Sequence, residues 1–416
     1  MARKTKIFIA AVALILISRF IFAGGQKEQA KTDERVVNVY SRHAANPAWE
    51  EFSKVFTNNT GIKIIGTDAP ASDYGAWVTK TTAMVSSGDD TQDVLHLGED
   101  TIVSFSRAGF LSPVDEAMPP EVLKQFPKAI MEISAAWNNH IWGVPLDSAP
   151  FFLFVNKKMF EKAGLKFPKT AEEFISAAKA LTKPKEGIYG YGMCAGRGGF
   201  LFNEYVRWMM AYNGSYKDWS LPGTREALKF MHDAIHTYGI VSESAVAETY
   251  DTMNQKMLDG KFAMIFQWPY IVGFMGDKFG EEFTIIPVPT FKTNKTLNGS
   301  WFYSINKAGH NQKEAMELIK FAASKEGQQL LLKPNNNSVA RIDVLTDLQT
   351  AKINPILKIA GEYAAADSLT PRELDENFNA LMENQEAFIQ DYLTNTITLD
   401  QLMERGNKFT SSLYKK

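Results

Sequence analysis

The segment IWGVPLDSAPFFLFVNKKMFEKAG, residues 141–164, decides the fold that we predict for this chain. It contains two short apolar runs, residues 141–146 and 151–155, separated by a polar break that includes Asp147. A proline lies on either side of the break, and because proline lacks a backbone donor and restricts the preceding residue, continuous strand pairing is disfavoured. We predict that the chain crosses here between two lobes, with Asp147 at the junction. Two neighbouring strands of one sheet would give a similar pattern.

The residues that follow carry a family resemblance. Asn156 is predicted to cap a helix that ends at Gly164. The strings VNKKMFEKAG at 155–164, FPKTAEEF at 167–174 and GIYGYG at 187–192 come in this order. Together they resemble the centre of the sugar-type, maltose-binding-protein-like extracellular solute-binding proteins of bacterial ABC importers. The chain departs mildly from the family pattern, with valine in place of a tyrosine before Asn156 and alanine in place of a tryptophan after the threonine of the second string.

The resemblance covers nearly all of the mature chain and implies an α/β fold with two lobes. This is the type II periplasmic-binding-protein fold, in which each lobe is a mainly parallel sheet flanked by helices. The β-α-β-α-β order of the first mature residues independently predicts a parallel sheet. We expect lobe 1 at residues 24–146, with residues 299–334 returning to it, and lobe 2 at residues 147–298, with residues 335–416 returning to it.

The last part of the chain contains the third crossover of the family pattern. We expect that crossover near residues 335–341. Residues 343–416 show helical, amphipathic periodicity without a glycine- or serine-rich linker. They are therefore predicted to be helical throughout.

The N-terminus has the composition of a secretory signal. A basic head at residues 1–6 precedes the apolar run IFIAAVALILI at 7–17 and small residues at 23–25. This run is too short to span a bilayer, so residues 1–23 are predicted to be a cleaved signal peptide and the protein to be periplasmic. Arg19 interrupts the apolar tail, which leaves an uncleaved anchor as the alternative. No cysteine lies near the cleavage region, so a lipoprotein is not expected.

Composition and motifs restrict the function further. The net charge is −2, which disfavours nucleic-acid binding, and the single cysteine, Cys194, forms no internal disulfide. Phosphate-loop, serine-hydrolase and zinc-protease motifs are absent from the sequence. His232 and His236 lie one helical turn apart without a third ligand, and the glycine-rich residues 196–199 lack a phosphate-loop lysine. We expect a monomer without catalytic residues, metal or cofactor.

Polar candidates for a ligand site follow the predicted strands of lobe 1. In parallel sheets ligands bind beyond the carboxyl ends of strands, where Arg42, Tyr74, and the pair Glu99 and Asp100 occur. Asp100 matches the position at which maltose-type relatives bind sugar hydroxyls with a carboxylate. Glu99 and Asp100 resemble a glycosidase pair in composition, but adjacent side chains point in different directions. We predict that these carboxylates, with Asp147, accept hydrogen bonds from hydroxyl groups.

Aromatic side chains complete the predicted site, because a flat ring covers the apolar face of a sugar. The aromatic candidates are Trp49, Tyr74, Trp208, Trp268, Tyr270 and Trp301. Trp268 and Trp301 are favoured because both lie at family-matched ligand positions, whereas Trp49 is equally compatible with a core position. Gly299 lies in the segment that returns to lobe 1, and Arg341 occupies a further family-matched position.

The predicted function is capture of a mono- or oligosaccharide between two closing lobes and its delivery to the permease of an ABC importer. A secreted carbohydrate-active enzyme, a sensor subunit for a chemoreceptor or kinase, and a binder of glycerol phosphodiesters or polyamines remain as alternatives. A phosphate ligand calls for several cations, and only Arg42, Arg197, Arg207 and Arg341 are expected near the cleft. Sugar is therefore favoured.

Overall fold

The computed structural model describes residues 34–69, 74–334, 338–347, 355–365, 368–375 and 377–414. The predicted signal peptide lies outside these residues. Among the helices that the structure describes, none is both long enough and apolar enough to cross a bilayer.

Strands and helices alternate along most of the chain. The strands are β1 (Val36–Ser41), β2 (Lys63–Asp68), β3 (Val94–Gly98), β4 (Leu111–Ser112), β5 (Ala136–Trp137), β6 (His140–Ile141), β7 (Val144–Pro145), β8 (Ala149–Pro150), β9 (Phe152–Asn156), β10 (Tyr189–Gly192), β11 (Phe262–Gln267), β12 (Phe283–Ile286), β13 (Thr296–Gly299), β14 (Trp301–Asn306) and β15 (Leu369–Thr370). The described helices are Pro47–Thr60, Tyr74–Ser86, Glu99–Ala108, Pro120–Leu123, Lys128–Ile130, Lys157–Ala163, Ala171–Leu181, Phe200–Ala211, Pro222–His236, Tyr250–Leu258, Ile271–Met275, Lys278–Glu281, Gln312–Ala323, Lys325–Leu331, Ile342–Leu345, Pro355–Ala365, Phe378–Leu393 and Leu399–Tyr414.

The sheet of the first lobe has the strand order β2-β1-β3-β14-β4, with β7 also paired to β14. β1 runs parallel to both β2 and β3, as the β-α-β-α-β pattern predicts. β14 returns from the other lobe and runs antiparallel to β3, with Trp301 opposite Gly98. This register brings the start of β14 to the carboxyl end of β3, where Glu99 and Asp100 follow.

The sheet of the second lobe has the order β10-β11-β9-β12. β10 and β11 are parallel, but β9 is antiparallel to both β11 and β12. The expectation of a mainly parallel sheet is therefore wrong for this lobe. The physical reason is the crossover: β9 carries the chain away from the junction, whereas β11 and β12 bring it back toward the junction.

A third, small sheet joins the two lobes. It has the order β15-β13-β8, with β13 antiparallel to β8 and parallel to β15. Buried polar side chains hold it, because Ser148 Oγ donates to Asn298 Oδ1 at 2.9 Å and Asn298 Nδ2 donates to Ser300 Oγ at 3.1 Å. β7 belongs to the first sheet and β9 to the second, so the predicted crossover at Asp147 is confirmed.

The helix after this crossover is confirmed as well. The Asn156 side chain accepts a hydrogen bond from the Met159 amide at 3.1 Å, and the helix ends at Gly164 with φ of 65°. Asparagine satisfies an amide that the first helical turn leaves free, and glycine adopts the left-handed conformation at little steric cost.

The end of the chain differs from the prediction. β15 and residues 371–375, which have no regular secondary structure, interrupt the helices expected over residues 343–416. Pro371 explains the interruption, because proline disfavours a helical conformation of the residue before it. A crossing strand thus lies at Leu369–Thr370, in addition to the crossover expected near residues 335–341, of which 335–337 lie outside the described residues. The exact lobe boundaries stay a prediction.

Candidate functional site

We use the term cleft for the region at the carboxyl end of β3, where ligands are expected beside such a sheet, and we call the Trp301 ring its floor on the first lobe. Its half-buried ring lies under the Arg42 guanidinium, whose Cζ is 3.9 Å from the ring centroid. The rings of Trp77 and His96 contact it edge-on, with centroids at 5.3 and 5.2 Å. A cation over an indole face is a favourable arrangement, and it holds the Arg42 side chain against the ring.

Glu99 lies beside this floor, at the start of the helix Glu99–Ala108. Its side chain is only 2% exposed and forms an ion pair with Arg372 Nε. Glu99 Oε2 is buried and accepts no hydrogen bond from the residues that the structure describes. Burial raises the pKa of Glu99 to about 7, although the nearby Arg372 guanidinium lowers it. Asp100 is partly buried, and its Oδ1 accepts from the Thr101 amide at 2.8 Å.

Asp147 lies at the junction between the lobes. Its Oδ1 accepts a hydrogen bond from the Trp301 amide at 2.8 Å, which ties the first crossover to the start of β14. Burial raises the pKa of Asp147 to about 7, although the hydrogen bond from the Trp301 amide and the charge of Arg42 both lower it. The Glu99 charge raises the same pKa further, so the two carboxylates share one electrostatic environment.

The second lobe contributes Trp268, which directly follows β11. Trp268 is half-buried, and its Nε1 donates to the Tyr250 hydroxyl at 3.2 Å. Asn203 Nδ2 donates to the same hydroxyl at 3.0 Å, and Arg372 Nη1 donates to Asn203 Oδ1 at 3.3 Å. A Cβ on Gly299 would lie 3.1 Å from the Trp268 ring, so only glycine fits there without displacement. Polar contacts therefore connect Glu99 to Trp268 across the cleft.

Most of the predicted residues are thus brought together. Those around the cleft are Arg42, Glu99, Asp100, Asp147, Trp268, Gly299 and Trp301. Tyr270 lies two residues beyond Trp268, and its hydroxyl accepts from Asn254 Nδ2 at 3.0 Å. Tyr74 begins the helix Tyr74–Ser86, but its side chain lies outside what the structure describes. The role of all these residues as ligand contacts remains a prediction.

Two predicted aromatic contacts are core residues instead. Trp208 is fully buried, its Nε1 donates to Glu204 at 2.9 Å, and its ring packs against Phe230 with centroids 4.3 Å apart. Trp49 is 4% exposed and donates to the Tyr303 hydroxyl at 3.0 Å. Both indole N–H groups have internal partners and both rings fill a core, so the structure does not bring these two tryptophans to the cleft surface.

Arg341 likewise has partners within the chain. Arg341 Nη1 donates to the Ala323 carbonyl at 2.7 Å, at the end of the helix Gln312–Ala323. Its Nε and Nη2 donate to Asp343 at 2.8 and 3.1 Å. All three nitrogens are engaged in fixing the chain. Of the other arginines considered, Arg207 is buried against Phe266 and Arg197 is exposed.

The sequence reading missed Arg372, Asn203 and Tyr250, as well as His43 and His96. Arg372 was missed because it lies in residues 343–416, which were predicted to be helical, although the proline before it indicated a break in the helix. His96 lies in the buried strand β3, where a polar residue is unusual. Burial lowers the pKa of His43 to about 3 and that of His96 well below the usual value, and the charge of Arg42 contributes to both shifts. Both imidazoles are therefore neutral beside the cleft.

The glycine-rich loop binds a carboxylate of the chain itself. Glu386 accepts from the amides of Gly198 and Gly199 at 2.9 Å each and from the Phe202 amide at 3.0 Å. The first turn of the helix Phe200–Ala211 thus has an anion at its positive end. The loop is a structural anchor for the helix Phe378–Leu393.

The two histidines that the sequence analysis rejected as metal ligands both contact other groups of the protein. His232 Nε2 contacts Asn395 Oδ1 at 2.8 Å, and His236 Nε2 contacts the Leu393 carbonyl at 2.8 Å. Across the described part of the chain, no group of three or more His, Cys, Asp or Glu side chains is arranged to hold a metal ion.

The two buried carboxylates predict a pH dependence of stability. The pKa values of Glu99 and Asp147 are about 7 in the folded protein and lie near the usual carboxyl values when it is unfolded. The folded state therefore binds more protons, so their contribution to stability is complete below the unfolded pKa values and is lost as the pH rises through about 7. Between pH 8 and 6.5 each carboxylate adds roughly 1 kcal/mol to the free energy of unfolding.

Urea denaturation at several pH values measures this effect. Glu99→Gln and Asp147→Asn each remove one carboxylate, and each is expected to flatten the pH dependence. The neutral histidines act in the opposite direction below their unfolded pKa, so the comparison with these variants above pH 6.5 isolates the carboxylates. Identical pH dependence in the variants and the original chain contradicts the prediction.

Comparison with known proteins places this geometry in context. The family model described as "Bacterial extracellular solute-binding protein" matches residues 41–329. A binding protein of Brucella abortus (strain 2308) is 25% identical over 232 residues, covering 54% of this chain and 55% of the relative. The maltotriose-binding protein of Pyrococcus abyssi is 24% identical over 206 residues, covering 47% of this chain and 42% of the relative. The chain spans about half the length of the curated relatives it matches.

Solved structures extend the likeness over more of the chain. The maltose-bound structure of MalE3 from T. maritima has a TM-score of 0.75 at 20% identity, covering 91% of this chain and 99% of that chain. At this identity the likeness shows the fold, which is the two-lobed α/β fold predicted from the sequence.

Proposed function

Because the chain belongs to the family of bacterial extracellular solute-binding proteins, we propose that it captures a carbohydrate between its two lobes and delivers it to the membrane permease of an ABC importer. The carbohydrate is a mono- or oligosaccharide. Closure about the sheet β15-β13-β8 brings the two walls of the cleft onto it.

One observation carries the proposal of a sugar: each wall presents a half-buried tryptophan together with hydrogen-bonding groups. Trp301 lies on the first lobe beside Glu99, and Trp268 lies on the second lobe against Gly299. A pyranose has an apolar C–H face that packs on such rings and hydroxyl edges that pair with carboxylates and arginine. Glu99 Oε2 is buried and has no donor among the described residues, so it is an acceptor to which a sugar hydroxyl can donate.

The charge balance of the cleft favours a neutral solute over a phosphodiester or a polyamine. Arg42 lies over Trp301 and acts on Asp147, and Arg372 is paired with Glu99. These cations are thus largely offset by carboxylates. A phosphate group needs uncompensated cations and a polyamine needs uncompensated carboxylates, whereas hydroxyl groups bind to both without a change in net charge.

The relatives support the same choice of solute. The Pyrococcus relative is named as a maltotriose-binding protein, and the MalE3 structure contains maltose. We infer that the chain is exported to the periplasm and that residues 1–23 are removed during export. We also infer that it acts as a monomer and performs no chemistry on its solute.

A thermal-shift screen of the mature protein tests the proposal. The panel contains monosaccharides, maltose, maltotriose, glycerol 3-phosphate and spermidine. A solute at 100 times its Kd adds about 2.7 kcal/mol to the free energy of unfolding, which moves the Tm by several degrees. We expect a shift with at least one sugar and none with glycerol 3-phosphate or spermidine.

Chromatography of the recovered sugar completes the test. An intact sugar supports a binding protein, and a consumed sugar shows an enzyme. A shift with glycerol 3-phosphate or spermidine alone overturns the carbohydrate while leaving membership of the family intact.

A further inference from the structure

Arg372 lies where the two walls of the cleft meet. Its Nε pairs with Glu99, which follows β3 of the first lobe, and its Nη1 donates to Asn203 Oδ1 at 3.3 Å on the second lobe. The Arg372 side chain is 16% exposed and that of Glu99 is 2% exposed. Arg372 itself follows β15 of the joining sheet. One guanidinium thus contacts both lobes from the hinge.

We propose that Arg372 is a cross-cleft positioning residue, which neutralises Glu99 when the lobes meet and thereby sets how far the empty protein closes. The proposal rests on the proposed closure of the lobes, but it concerns the protein without a solute. Its test therefore does not depend on which solute the protein carries.

The charge around Glu99 makes this neutralisation necessary. Besides Arg372, Asp100 acts on Glu99 and raises its pKa. Asp147 and Tyr216 interact with Glu99 as well, and they are also affected by Arg42 and Glu373, respectively. Burying an ion without a partner is strongly unfavourable, and the loss of one member of a buried pair is correspondingly severe. Glu99 therefore needs Arg372 whenever the closed cleft removes it from water.

The sign of the pH effect follows from the same balance. Burial raises the pKa of Glu99 to about 7 where Arg372 joins the two lobes, as in this structure, and the Arg372 charge opposes that rise. The closed form binds a proton on Glu99 more tightly than a solvated open form does, so acid favours closure. Without Arg372 the closed form is most disfavoured at alkaline pH, where Glu99 is charged, and recovers when Glu99 is protonated.

Distances between spin labels on the two lobes measure the closure directly. Lys54 in the helix Pro47–Thr60 and Lys229 in the helix Pro222–His236 have side chains 69% and 60% exposed, and each is replaced by cysteine for labelling. The native Cys194 is fully buried and stays unlabelled. Distances are recorded without solute at pH 8 and pH 6 for the labelled protein, Arg372→Gln, and the double variant Arg372→Gln with Glu99→Gln. Arg405→Gln, which breaks an exposed pair with Asp391, is the matched control.

We expect a short-distance population in the labelled protein and in the Arg405→Gln control. In Arg372→Gln the ratio of closed to open molecules at pH 8 falls by at least about tenfold, and most of it returns at pH 6. The double variant restores closure at pH 8, because a neutral glutamine needs no counter-ion. A structural role alone would give the same opening at both pH values and in the double variant.

Three results overturn the proposal. The first is an Arg372→Gln distance distribution equal to that of the control. The second is an opening that neither pH nor Glu99→Gln reverses. The third is a labelled protein with Arg372 intact that is fully open at both pH values. Failure of the solute screen is a separate result. A protein that binds no sugar but still opens in Arg372→Gln refutes the carbohydrate alone, whereas one that binds sugar without this opening refutes the role of Arg372 alone.

Discussion

Replacing Trp301 by alanine is expected to weaken sugar binding by at least about tenfold while the fold persists. The substitution removes the ring that lies under Arg42 and forms the floor of the cleft on the first lobe. A stacked ring contributes both buried apolar area and a surface that orients the sugar. The Trp301 amide still donates to Asp147, because the backbone is unchanged, so the junction between the lobes is retained.

Isothermal titration with the sugar found in the thermal-shift screen measures this loss. Trp137→Ala is the matched control, because Trp137 is 41% exposed on the hairpin formed by β5 and β6, outside the cleft residues. Trp268→Ala removes the ring on the opposite wall and is expected to give a loss of similar size. Unchanged affinity in both Trp301→Ala and Trp268→Ala would show that the sugar binds elsewhere.

The two tryptophans were predictable because their positions depend on local sequence. Trp268 follows a buried strand that ends at Gln267, and Trp301 follows Gly299 in the segment that returns to the first lobe. Strand ends at the edge of a sheet lie beside the ligand in this architecture, so chain order alone predicts where these rings lie. Trp208 was also a candidate because it is a tryptophan, but its ring faces the core of its lobe. Amphipathic periodicity does not distinguish a ring that faces a cleft from one that faces a core.

Arg372 was not predictable in the same way, because its role depends on contacts between residues far apart in the chain. It is 273 positions from Glu99 and 169 from Asn203. No local pattern relates these three residues. The antiparallel pairing of β9 was missed for a related reason, since the direction of a strand depends on where the chain crosses between lobes rather than on the residues of the strand.

Replacing Glu386 by alanine is expected to lower the free energy of unfolding by about 1–3 kcal/mol. Its carboxylate is 2% exposed and accepts from three backbone amides at the start of the helix Phe200–Ala211. Removal leaves the buried Phe202 amide without an acceptor, and a buried unsatisfied group costs roughly 1–3 kcal/mol, whereas Gly198 is exposed and its amide is open to water. Glu386→Gln keeps one acceptor oxygen, so an intermediate loss is expected.

Urea denaturation measures these losses, with Glu383→Gln as the control. Glu383 lies on the same helix, Phe378–Leu393, but is exposed, so its replacement should change stability by no more than about 0.5 kcal/mol. Glu386 also affects the cleft, because it holds the first turn of the helix Phe200–Ala211. This turn contains Asn203, which contacts Tyr250 and Arg372. Glu386→Ala should therefore weaken sugar binding as well as stability. Equal stability of Glu386→Ala and Glu383→Gln would show that water or another group replaces the carboxylate at these amides.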